Sequence, residues 1–123
     1  MGSRSVEWMP NLVDDAHITI PNGQSLSTHV DTHGQTIVGF IIPDTLTGTK
    51  LKILAARSED KDNYIFVCNT LGADFELTKS TESGTRYYSF SPSDLLPIQR
   101  LKVQSDAAQS GGDCTIHIVS RAL

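Results

Sequence analysis

His29 and His33 stand four residues apart in STHVDTHGQ, a spacing that would set two imidazoles on one face of a helix as zinc ligands. The segment reads instead as a strand running into a glycine turn. Along an extended chain, residues i and i+4 lie about 13 Å apart, and no third ligand is near. Solvated turn histidines are the expectation. His17 and His117 alternate with isoleucines and are expected to face solvent or a neighbouring chain. Glu59 to Asn63, EDKDN, gathers the oxygens that calcium needs. It lacks the glycine of an EF-hand loop and the distant bidentate glutamate, so it reads as a charged hairpin tip.

The catalytic patterns fare no better. Asp14 and Asp15 are adjacent, and in an extended chain they point to opposite faces, which prevents an acid–base pair. No serine sits in a GxSxG elbow, and no glycine motif cradles a phosphate. Cys68 and Cys114 each lie inside an apolar alternating run, with no CxxC and no Cys/His ligand set. They are expected to be buried free thiols rather than a disulfide. The chain reads as a non-enzyme that needs neither metal nor cofactor.

Bulk properties narrow the partner. The 123 residues suffice for one domain with one core, and 38% apolar with 20% charged residues lies in the globular range. A net charge of −4 argues against a nucleic-acid groove or an anionic membrane as the main partner. No apolar run approaches the roughly 20 residues of a membrane span. The first residues show no apolar core of a secretory signal.

Contact residues are therefore the ones to seek. Val6 to Val13, VEWMPNLV, carries the only tryptophan, and Trp8, Met9, Leu12 and Val13 would gain nothing from hanging in water. Burying Trp8 contributes about 4–6 kcal/mol gross, whereas ordering the backbone costs about 1–2 kcal/mol per residue. The arm must therefore engage its other apolar residues too, either on its own sandwich or on another subunit by strand addition. Tyr87 and Tyr88 are neighbours on a strand, so one faces in and the other out. The outward ring, like Tyr64, suits either a sugar platform or a protein contact.

The elements that must position these groups have a period of two. AHITIP, QTIVGFII, KLKILAAR, NYIFVCN, DFELTK, RYYSFS, RLKVQS and CTIHIVSRAL read as strands, with SLSTHV as a weaker one. PNGQ, THGQ, SEDKDN and ESGT supply turns, and AAQSGGD reads as a flexible loop. Ser91 to Leu96 carries an N-cap serine and a proline at the first helical position, and Pro97 stops it after one turn. Leu95, Leu96 and Ile98 would then plug one open end of the interior. The expected fold is all-β: an antiparallel two-sheet sandwich, jelly-roll-like, with eight or nine strands and one short helical turn. Residues 1–14 form an arm and residues 15–123 the sandwich.

The order of these features resembles a family of small β-sandwich virion proteins of tailed bacteriophages, of the head decoration or cement type. ITIPNGQSLSTHVDTHGQTIVGFIIP, LKILAARSEDKDNYIFV, YYSFSPSDLLPIQRLKVQS and CTIHIVSRAL carry the likeness, over roughly residues 15 to 123. It does not reach the arm, so the mode of attachment stays open. The resemblance implies a protein on the outer capsid surface of the virion, present in the host cytoplasm during assembly. It would bind the major capsid protein and clamp neighbouring subunits, as a homo-oligomer with a dimer as the simplest form. The alternatives are a carbohydrate- or receptor-binding module and a tail or neck adaptor.

Overall fold

The structure, a computed structural model, describes residues 12–33, 35–57, 63–69, 71–90 and 99–121. The arm residues Trp8 and Met9, most of the charged tip after Arg57, and the turn expected at Ser91 to Pro97 lie outside them. Among the described residues, nine strands form: β1 (Leu12–Ile20), β2 (Val30–Asp31), β3 (Thr36–Ile42), β4 (Lys50–Ala56), β5 (Ile65–Phe66), β6 (Glu76–Thr78), β7 (Arg86–Ser89), β8 (Arg100–Ser105) and β9 (Cys114–Arg121). Leu12 pairs with Arg121, so the last three residues of the expected arm are strand.

The strands make two antiparallel sheets, ordered β1-β9-β3-β7 and β2-β8-β4-β5, with β6 also on β4. β5 and β6 lie along one edge of β4 in succession: Ala55 and Leu54 face Ile65 and Phe66, and Lys52 to Lys50 face Glu76 to Thr78. Between them the Val67 N–H donates to the Ile53 carbonyl at 2.8 Å. They are one edge strand interrupted by an excursion. Counted so, the sheets read first-eighth-third-sixth and second-seventh-fourth-fifth, the interleaved order of a jelly roll. The weak strand expected at Ser25 to Val30 shrinks to β2 and a lone bridge between Leu26 and Gln104.

The inward faces meet in a continuous core. Sheet one supplies Ile18, Ile20, Ile37, Phe40, Ile42, Ile116 and Ile118; sheet two supplies Leu51, Ile53, Leu77, Leu101 and Val103. Each fully buried aliphatic side chain contributes about 1.5–3 kcal/mol. Phe90 links the sheets, meeting Phe40 edge-on at 4.9 Å and Phe75 at 5.6 Å.

Ile37 and Phe40 are an odd number apart yet both face in. A bulge explains this: Ile37 pairs with Ser120 and Gly39 with Val119, leaving Val38 as the extra residue. On the other side of β9, Val13 pairs with Ser120 and Ala16 with Ile118, so Asp14 and Asp15 together oppose Val119. Both neighbours of β9 thus gain a residue at the same step, and the sheet stays in phase across it.

The loop read as flexible is pinned. Gln109 is buried. Its Nε2 donates to the Thr45 carbonyl at 2.6 Å, and its Oε1 accepts from the Thr47 N–H at 3.0 Å. Its backbone bonds Gly23 and Gln24. Gln109 therefore ties three loops together at one end of the sandwich, one through its side chain and another through its backbone. Cys68 also departs from expectation. It is free but exposed, because it leaves the sheet at the excursion; Cys114 is free and buried.

Candidate functional site

On the outer face of sheet one, the register places four residues in a single row across all four strands. His17 opposes His117, His117 opposes Ile41, and Ile41 opposes Tyr87. The imidazole centroids of His17 and His117 lie 6.0 Å apart, inclined by 53°. Tyr87 is 52% exposed and leans across Gly39. Partial burial there raises its phenol above the ordinary value by disfavouring the phenolate. Tyr88 faces the interior, packs on the core, and accepts a hydrogen bond at Oη from the Ser80 N–H at 2.8 Å. Of the residues expected to contact a partner, only Tyr87 is placed at the surface by a described side chain. Leu12 and Val13 lie in β1, and Trp8 and Met9 lie outside the described residues.

The excursion between β5 and β6 is a second surface feature, and sequence reading missed it. The described residues 68, 69 and 71–74 belong to a finger closed at its base by the pairing of Cys68 with Asp74. The Phe75 N–H donates to the Val67 carbonyl at 2.7 Å, and the Asn69 N–H to the Ala73 carbonyl at 2.7 Å. Asn69 Oδ1 accepts from the N–H groups of Leu71 and Ala73 at 2.9 and 3.1 Å. Gly72 takes a positive φ of 83°, the conformation that glycine adopts without strain. Lys52 Nζ bonds Asp74 at 3.0 Å from the neighbouring strand, and that bond raises the lysine pKa.

This braced finger carries Leu71 at its tip, 91% exposed. Ile65, 70% exposed, and Phe66 lie at its base. Among the described residues, three of the five exposed large hydrophobic side chains thus fall within positions 65–71. The signal was in the sequence as NTLGADF: an Asx residue and a glycine around one leucine, between what read as two strands, NYIFVCN and DFELTK.

Two further recesses are small. A cleft of about 250 Å³ opens between the sheets at Ala16, Val30, Thr32, Gln35 and Ile118. A groove of about 260 Å³ runs along Lys50, Lys52, Phe66 and Gln104. Among the described residues, no group of three or more histidine, cysteine or carboxylate side chains gathers as metal ligands do. His33 occupies a turn at φ 53°, its N–H bonded to Asp31 Oδ1 at 2.8 Å.

No protein-family model matches the chain, and no curated protein matches it. Among solved structures, the crystal structure of the SPBc2 prophage-derived protein YomS is similar at 11% identity and a TM-score of 0.49. That match covers 89% of this chain and 96% of that one.

Proposed function

We propose that the chain is a structural protein of a phage virion. In this reading it is a decoration protein that binds the major capsid protein on the outer shell and clamps neighbouring subunits. The pattern resemblance over residues 15 to 123 supports the setting. The observation that carries the contact mode is the hydrogen-bonded finger: a fold that presents a leucine to water gains nothing from it alone. A preordered apolar tip lowers the entropy cost of docking. Repeated over a symmetric shell, many modest contacts add through multivalency. The protein then works without a reactive centre, and a dimer across a shell twofold is the simplest assembly.

The test is to strip the protein from particles, rebind it, and challenge the particles with heat or low salt. Unchanged particle stability with and without it would refute a cementing role. Copy number separates a shell protein from a neck or tail adaptor. A second reading, carbohydrate recognition, is favoured by the exposed Tyr87 ring beside Ile41 on the outer face of sheet one, since sugars stack on such rings. A glycan array distinguishes it: a saccharide signal lost in Tyr87→Ala would replace the first reading with the second.

A further inference from the structure

We propose that His17 and His117 form a two-imidazole chelate for a divalent transition-metal ion. The two residues are direct register partners on β1 and β9, and both are exposed. Antiparallel pairing fixes their backbones side by side and sends both rings to the same face. An ion of the zinc class sits about 2.0–2.1 Å from each imidazole nitrogen. Rings with centroids 6.0 Å apart flank such an ion after a small side-chain rotation, and no backbone has to move.

The surroundings suit two protein ligands completed by water. Ile41 closes the β3 side of His117. On the next positions of the same face, Thr19 and Thr115 present hydroxyls 3.3 Å apart. The solvent side stays open for the remaining coordination positions. Paired imidazoles select copper, nickel and zinc, with copper the tightest, over oxygen-seeking calcium and magnesium. The pair is distinct from His29 and His33, whose spacing alone suggested a helix-type site. A bound ion ties the edge strand β1 to the central β9, and it stabilises the folded chain because only that state brings the rings together.

The experiment uses the full chain carrying Cys68→Ser, which removes an exposed thiol able to bind or reduce copper(II). Copper(II) is titrated by calorimetry and followed by electron paramagnetic resonance and thermal unfolding. The expected result is one ion per chain, a two-nitrogen hyperfine pattern and a raised Tm. His17→Ala and His117→Ala each weaken binding at least about 10-fold, the lower end of what losing even an outer-shell partner costs, and abolish the two-nitrogen pattern. The double variant His29→Ala/His33→Ala retains both. His117→Gln replaces His117→Ala should the latter fail to fold. Copper binding unchanged by loss of either His17 or His117, or no two-nitrogen pattern in the parent, would overturn the proposal.

Discussion

Tyr87 lies across Gly39 so closely that a Cβ at position 39 would stand 2.6 Å from its Cε1 and Cζ and 2.7 Å from its Oη. The missing side chain on the central strand β3 is what lets a ring from β7 settle over it, an arrangement that rescues a strand glycine. Gly39→Ala must therefore swing the ring away. The obstacle is the far end of a flexible side chain, and alanine relieves the conformational cost of glycine in a strand by about 0.5–1 kcal/mol. Net stability should change little. The phenol should change more: with its partial burial lost, its raised pKa falls back toward the ordinary value near 10. With only three tyrosines in the chain, ultraviolet titration resolves the shift. A titration curve identical to that of the parent would show that the ring does not depend on Gly39.

Gln109 makes the opposite case, a polar group whose loss is costly. Truncation to alanine leaves the Thr45 carbonyl and Thr47 N–H without their partner, at about 2–3 kcal/mol for two hydrogen bonds in a part-buried site. Urea unfolding should show that loss with an unchanged m-value. Hydrogen exchange should quicken at residues 45–49 before anywhere else.

Acid sensitivity should trace to Asp106. The Thr49 hydroxyl donates to its Oδ2 at 2.9 Å, and the Thr49 and Lys50 N–H groups donate to its Oδ1 at 2.8 and 3.2 Å. The hydroxyl bond, then the backbone bond from Thr49, lower its pKa below the ordinary value. A lowered folded pKa means stability that is fully present above the unfolded value near 3.9 and is lost as pH falls through the folded one. Asp106→Asn should cost about 1 kcal/mol at neutral pH, a modest figure because the group is exposed. The difference from the parent should close as pH drops from about 5 to about 2. A gap independent of pH would assign the loss to something other than the charge.

The sandwich was legible because its signal is local and repeated. Ile18 and Ile20, Leu51 and Ile53, Leu101 and Val103 alternate with polar neighbours, and a period of two is all that a half-buried strand requires. What eluded reading depends on residues far apart in the chain. The pairing of His17 with His117 is a matter of register between the first and last strands, and nothing near either histidine encodes it. The paired bulges beside Val119 exist only once β1 and β3 flank β9. Gln109 reads as loop because its partners lie about sixty residues away. The finger was the one local signal left unread: Asn69 and Gly72 mark a turn between the strands read at residues 63–69 and 74–79, but nothing in that stretch says that the turn stands out from the sheet edge, and Cys68 was assigned to a buried side.

The finger also gives the sharpest separation of fold from function. Leu71 is almost wholly in water, so Leu71→Asp removes no core contact and should leave unfolding free energy within about 0.5 kcal/mol of the parent. If the tip docks in an apolar pocket of a capsid subunit, the same change buries a charge without a partner. Rebinding to stripped particles should then weaken at least about tenfold, or 1.4 kcal/mol per site. Asn69→Ala tests preorganisation separately. It leaves Leu71 in place but removes the Oδ1 acceptor that holds the N–H groups of Leu71 and Ala73, so it should weaken rebinding less and mainly through the cost of ordering the loop. Rebinding of Leu71→Asp at parental affinity, with the fold intact, would remove the finger from the contact and return attention to Tyr87 and the face of sheet one.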